Sequence, residues 1–432
     1  MEATEIVEKR VDTAKLQIGM YVCRLDRPWL GTPFQLQGLL LSTPEDIDAL
    51  AQHCEHVFID DLRSIYRGKR AQLNFGNLQR LVHREALERL ARLGYAGMRG
   101  PDRTNLPCIA YPPAIELAKE LPRAINAWKQ ARVILNQCVA RAKNNKPLNL
   151  EDIDMAIEPV VESVVRSPDA ALWLVAVRRS ESYPISHPLN CCAMLLAFAR
   201  FLGFPPELLL SMAKGALLMD IGMWRLGQNY YINRDQVADE AKEEIRDHVL
   251  RGLEYLRQSG FVDLDAVLTI LHHHERHDGN GYPRQVRPGK VSLMGHMLHI
   301  VDTFDALCSK RSYRSEETSN SAQRMLHSER DQTYPAEVVE AFLHCLGVYP
   351  TGTLVELSTG EIAAVSGQVL TSRLYPRLIV LTHSDQSARA EFEEVESSDL
   401  IKLPRPVKIV RTVASGSVNI RLASVEPQVR AE

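Results

Sequence analysis

Apolar residues three and four apart run through most of residues 114–345, and that spacing predicts helix after helix. A long helix is expected from about Ala114 to Lys143, ended by Asn144-Asn145-Lys146-Pro147. Asn149 starts the next helix, with Asp152 three positions on to bond back in the manner of a capping box. On both sides of this region the period shortens. Tyr21–Asp26 and Gln35–Leu41 read as short strands, Thr43–Cys54 as a helix and Val57–Asp60 as a further strand. In the tail, Thr353–Leu357, Glu361–Val365, Leu378–Thr382 and Val407–Val413 alternate every second residue around Ser-Thr-Gly and Ser-Gly turns. The predicted fold class is mainly α: a helical bundle with a small N-terminal α+β domain and a short β-rich C-terminal extension.

Gly and Pro place the boundaries. The stretch Gly94–Pro113 is rich in both and reads as a linker, with 96–113 taken as its span. The expected division is 1–95 for the N-terminal domain with its basic helix, 114–165 for connecting helices, 166–345 for the main helical domain and 346–432 for the tail. The segment Arg63–Arg92 carries many Arg and Lys residues, but apolar residues interleave them, which favours a solvated amphipathic helix over a nucleic-acid site.

Composition narrows the function classes. The chain has 432 residues, 45% hydrophobic and 24% charged, with a formal net charge of −3, so a broadly basic surface for gripping a polynucleotide is excluded. The eight cysteines include no C-x-x-C pair and read as reduced thiols, with Cys191 and Cys192 in an apolar helix. The N-terminus is acidic and no apolar run approaches the length of a bilayer crossing, so a cytoplasmic protein without a membrane segment is expected.

The candidate chemistry centres on His272-His273-His274-Glu275-Arg276-His277-Asp278-Gly279-Asn280-Gly281-Tyr282-Pro283, where imidazoles sit as a helix gives way to a Gly, Asn and Pro turn. Neighbouring histidines at a helix end are either a ligand pair for a metal or a solvated His-rich terminus, and this segment alone leaves both readings open. Four further groups stand in awkward places. Asp220 interrupts the apolar run Leu208–Met223, His187 lies at a helix start before Pro188, His248 follows an acidic stretch, and Asp302 sits in an apolar helix. Each alone is ordinarily a cap or a satisfied core residue. Spread over successive helices, they are what an N/O metal centre inside an α-bundle requires.

Five blocks in order carry a resemblance. They are His187-Pro188-Leu189-Asn190, Leu217-Leu218-Met219-Asp220-Ile221-Gly222, His248, the block from His273-His274-Glu275-Arg276 to Gly281-Tyr282-Pro283, and Asp302-Thr303-Phe304-Asp305-Ala306-Leu307 with Arg311-Ser312-Tyr313-Arg314. This region resembles the HD-GYP branch of the HD phosphohydrolase superfamily, which hydrolyses cyclic di-GMP. The segment from Leu16 to Trp29 looks like the poorly characterised domain that often precedes such modules. The resemblance implies an HD-type bundle holding iron or manganese, one or two ions here, on His187, Asp220, His248, His273, His274 and Asp302. It places Asp220, His273 and His274 at the chemistry, with the ions activating water and stabilising the entering and leaving oxygens. It also gives Gly281, Tyr282 and Pro283 as a substrate loop in which tyrosine stacks on a base, and Arg311 and Arg314 as clamps on phosphate. Implied partners are cyclic di-GMP and a signalling protein, with a homodimer left open and no polynucleotide or membrane.

The pattern also breaks. Met219 stands in place of the superfamily's histidine and Met223 in place of a lysine, so the second ion loses a ligand and the transition state loses a cation. Tyr183 replaces a glutamate associated with a third ion, Gln285 and Pro288 replace glycines, and His296 replaces an arginine. His272 and His299 read as surface groups or as supports behind the ligands. Two functions follow: a metal-dependent cyclic di-GMP phosphodiesterase of weakened activity, or a non-catalytic sensor or scaffold that keeps nucleotide or partner binding; an HD-type phosphohydrolase acting on a different nucleotide ranks last, because the Gly-Tyr-Pro block points to the specialised branch.

Overall fold

The computed structural model describes residues 8–18, 20–27, 39–41, 44–60, 109–178, 183–226, 239–309, 317–369, 375–392, 394–401, 403, 406–413, 422 and 425. The chain divides into two compact units: Phe75–Cys345, and Met1–Asn74 together with Leu346–Arg430. The basic segment Arg63–Arg92, most of the linker, and the pair Arg311 and Arg314 lie outside the described residues.

In the unit formed by the two ends of the chain, β1 (Glu8–Asp12), β2 (Tyr21–Leu25), β3 (Leu39–Leu40) and β4 (His56–Asp60) make an antiparallel sheet of order β1-β4-β2-β3, with α1 (Pro44–His53) between β3 and β4. A second antiparallel sheet, of order β8-β7-β6-β5-β9, uses β5 (Leu354–Leu357), β6 (Ile362–Gly367), β7 (Arg377–Val380), β8 (Glu394–Glu396) and β9 (Ile409–Val413). Val22, Leu50, Val57 and Ile59 from the first part and Val355, Val365 and Leu378 from the second belong to one hydrophobic core. Neither sheet has a core to itself, because each is too small to bury one face alone.

The helical unit begins with α2 (Leu117–Lys143) and α3 (Leu150–Arg166). Leu117, Leu121, Ala124, Trp128, Ala131, Leu135 and Cys138 form the buried stripe of α2, at the spacing that puts one face inward. The helix starts at Leu117 rather than Ala114. Pro112 and Pro113 cannot donate, and the Ile115 N–H bonds Arg166 O at 3.1 Å, which draws this segment away from helical geometry. Asn149 does flank α3, but its amide donates to the Asp152 carboxylate at 2.7 Å and makes no cap bond to the backbone. Glu120, fully buried, is held by Arg166 through two bonds of 2.8 and 2.9 Å, which pins α2 to α3.

Then follow α4 (Pro168–Arg178), α5 (Tyr183–Phe201), α6 (Pro206–Leu218), a 3-10 turn (Ile221–Arg225), α7 (Asp239–Arg246), α8 (His248–Gln258), α9 (Leu264–His272), α10 (Leu293–Cys308), α11 (Ser319–Ser328) and α12 (Ala336–Leu346). Residues 186–199 of α5 are all buried, so this helix is the axis of the bundle; α4, α6 and α10 pack around it and α9 packs on α6. The apolar run around Asp220 is not one helix. It breaks after Leu218, and Gly222 then lies so close to α8 that a Cβ there would fall 1.9 Å from the His248 carbonyl oxygen. That contact is what brings Asp220 alongside His248. Among the described residues no helix is long and apolar enough to cross a membrane.

Candidate metal centre

Five pieces of backbone converge: α5 with His187, the turn after α6 with Asp220, the start of α8 with His248, the end of α9 with His273 and His274, and α10 with Asp302. His187 is buried and meets a carboxylate at each ring nitrogen. Its Nε2 is 2.8 Å from Asp302 Oδ1 and its Nδ1 is 2.7 Å from Asp305 Oδ2. Asp305 also accepts from Asn190 Nδ2 at 3.1 Å and Ser309 Oγ at 3.3 Å. One helical turn beyond His187, Cys191 places Sγ 3.6 Å from its Nδ1, and burial pushes this thiol up in pKa.

The other half is built on two imidazoles fixed in the same way. His248 Nδ1 donates to Ile245 O and His273 Nδ1 to Ile270 O, each at 2.6 Å. These bonds assign the proton to Nδ1 in both rings and leave an acceptor lone pair on each Nε2. The two Nε2 atoms are 3.5 Å apart, and Asp220 Oδ1 is 3.3 Å from that of His248. Two lone pairs and a carboxylate oxygen facing one another repel unless a cation lies among them. Two nitrogens sharing one ion through bonds of about 2.0–2.1 Å stand roughly 3–3.5 Å apart, so the spacing fits a metal ion. His248, His273 and His274 offer three donor atoms within 4.8 Å of one another, as do His187, Cys191 and Asp305.

Asp302 joins the halves, with Oδ1 toward His187 and Oδ2 3.8 Å from His274 Nδ1. The structure therefore gathers all six residues read from the sequence as ligands. Exposure orients the cluster: His187, His248 and His273 are at most 3% exposed, whereas the side chains of Asp220, His274 and Asp302 are 13–16% exposed and mark its more open side. Met219 and Met223 are both buried beside it in sequence.

The loop after His274 is shaped by its glycine. A Cβ at Gly281 would fall 2.3 Å from Arg276 N and 2.6 Å from His274 O, so only glycine lets the chain return to the helix end. Tyr282 N then donates to His274 O, and the Tyr282 ring stacks on His274 with centroids 4.5 Å apart and planes at 28°. The tyrosine thus has one face on a candidate ligand. Arg246 lies 5.7 Å from the ring centroid. Glu275, fully buried, accepts from Arg284 N and Val286 N and holds the far side of the loop, while Arg276 keeps the Asp278 carboxyl below the usual carboxylate range.

His272 and His299 are not surface residues: both are buried, His272 against Ser292 and His299 against Glu275 O. Burial lowers the pKa of His299 to about 4. Tyr183 begins α5, and its side chain is outside the described residues. Asp305 and Glu275 are the groups that reading for ligands passed over. Their sequence signals are an aspartate three residues after Asp302 and a carboxylate next to the paired histidines.

A profile described as HD domain matches residues 174–338, and one described as domain of unknown function (DUF3391) matches residues 8–153. The chain is 27% identical over 421 residues to a cyclic di-GMP phosphodiesterase of Pseudomonas aeruginosa, covering 97% of this chain and 92% of that protein. A cyclic di-GMP phosphodiesterase of Thermotoga maritima is 32% identical over 130 residues, 30% of this chain and 35% of the relative. A solved structure, an HDG"Y"P protein from Bdellovibrio bacteriovorus, aligns with a TM-score of 0.43 and 14% identity over 78% of this chain and 98% of that one. The histidines and aspartates that five backbone segments bring together all fall within residues 174–338, the part of the chain that matches the HD-domain profile, and the part that matches the DUF3391 profile lies on its N-terminal side.

Proposed function

We propose that the protein is a metal-dependent phosphodiesterase of the HD-GYP type that hydrolyses cyclic di-GMP to the linear dinucleotide or GMP. The observation that carries this reading is the pair of Nε2 atoms of His248 and His273, 3.5 Å apart beside Asp220, in rings whose Nδ1 atoms are both taken by backbone carbonyls. His248, His273, Asp220 and His274 would hold one ion, and His187 with Asp302 a second, weaker one. The all-N/O donor set favours iron or manganese over a thiolate-type structural zinc site. Bound ions supply a water of lowered pKa and charge to offset the phosphate.

The chain's own groups do the rest. Ile245 O and Ile270 O hold a proton on Nδ1 of each imidazole, which keeps both Nε2 atoms available. Asp305 does the same for His187. Gly281 permits the close turn that sets Tyr282 over His274, and Tyr282 is assigned to a guanine base by its place in the motif. Arg311 and Arg314 are assigned to the phosphates by their place in the motif. The six described cysteines are free thiols, in keeping with a cytoplasmic protein, and a signalling protein or a second copy as partner belongs to the same reading.

Met219 and Met223 favour a second reading, a sensor that binds cyclic di-GMP without cleaving it. Purified protein loaded anaerobically with iron or manganese separates the two when assayed for linear dinucleotide and GMP, with metal counted by elemental analysis. For the enzyme, wild type turns over slowly, and Met219→His raises both metal content and rate, by tenfold or more if one ligand is restored. Calorimetric binding of cyclic di-GMP with no product from either protein under any metal would establish the sensor.

A further inference from the structure

We propose a second transition-metal site in this protein, made by His277 and His296 and chemically distinct from the centre around His248 and His273. His277 stands in the loop between α9 and Gly281, where its backbone N–H donates to Thr333 O at 2.9 Å. His296 lies in the first turn of α10 and is 5% exposed. Their rings meet edge-on, with centroids 6.0 Å apart and planes at 60°.

Nδ1 of each ring is buried, and among the described residues it has no hydrogen-bond partner. One such nitrogen costs about 1–3 kcal/mol when left unmet, and here two lie in neighbouring rings. The distance argues for an ion. Two imidazoles bound to one metal through bonds of about 2.0–2.1 Å have ring centres roughly 5–6.5 Å apart, and 6.0 Å falls inside that range. The charge state agrees, since burial holds His296 in the neutral form that ligates metals. The ionisable groups acting on it are His299, His277 and His272, all imidazoles. A nitrogen site without a carboxylate selects zinc, nickel or copper, whereas the carboxylate-bearing centre suits iron or manganese. An ion here would tie the Tyr282 loop to α10, the helix that carries Asp302.

Metal-free protein titrated with Zn2+ against a chromophoric chelator tests this directly. Wild type should take up one zinc ion more than His277→Ala and one more than His296→Gln, with micromolar or tighter affinity, while His248→Gln keeps that extra ion. Zinc should also slow proteolysis of residues 275–290 in wild type and leave the rate in His277→Ala unchanged. His277 is partly exposed, so its truncation leaves the core intact and circular dichroism verifies the fold. Equal zinc stoichiometry in wild type and His277→Ala overturns the proposal, as does loss of the extra ion in His248→Gln alone. Because the readout is ion binding, failure here leaves the phosphodiesterase reading standing, and absence of turnover leaves this site standing.

Discussion

Nδ1 of His187 rests against Asp305, and Nε2 against Asp302, so the two carboxylates act on opposite sides of one ring. In the proposed centre only Asp302 touches metal; Asp305 keeps the ring in the right tautomer and orientation. Such supports are commonly worth 10–100-fold in metal affinity or activity. Asp305→Asn should therefore lower metal content or turnover by about that factor with an unchanged circular dichroism spectrum, measured on protein reconstituted in parallel with wild type. The candidate ligands were legible as residue types in awkward places. Asp305 was not, because its task is defined by the nitrogen that it faces, and a linear sequence does not say which ring nitrogen points where. For His272 and His299 the sequence left a surface place and a supporting place both open, and the packing of α9 against α10 excludes the surface one.

At the scale of elements, α2 and α3 are fastened by the bidentate pair Arg166–Glu120, with the carboxylate out of water and the guanidinium about one third exposed. Arg166→Ala would leave that carboxylate only the largely exposed Arg123 at 3.9 Å, and a buried charge deprived of its main partner costs about 3–5 kcal/mol; the remaining pair and the partial exposure of Arg166 argue for the lower end. The expected loss of about 3 kcal/mol is read from the denaturant midpoint, and Glu120→Gln should cost less because no charge is left behind. The 3.6-residue period located these helices well, since their stripes face one bundle core. It could not place their ends. Leu218 ends α6 because Gly222 must meet the His248 backbone, and Leu117 starts α2 because Ile115 is bonded to Arg166 O, both contacts between residues far apart in sequence. The short edge strands β1 and β8 carry too few alternating residues to announce themselves.

For the whole molecule, buried neutral imidazoles set the response to acid. His299 has its pKa lowered from 6.5 to about 4 by burial. Between those values the unfolded chain binds a proton that the folded chain refuses, so stability is complete above pH 6.5 and falls as pH drops toward 4. A shift of that size is worth on the order of 3 kcal/mol. Thermal unfolding of metal-free protein between pH 7 and pH 4 should show this decline, and His299→Gln should flatten it. The sequence showed β character at both ends of the chain, but a strand pattern names no partner, and the shared core of Val57 and Ile59 with Val355 and Leu378 emerges only in three dimensions.

That shared core has a consequence for how the protein is made. During synthesis the N-terminal strands leave the ribosome nearly three hundred residues ahead of the strands that complete their apolar layer. They must wait, partly uncovered, while the helical unit is translated and folds. A chain cut short after residue 345 would strand them in that condition permanently, so loss of the tail should be felt first at the opposite terminus, as aggregation or degradation, with the histidine cluster still assembled.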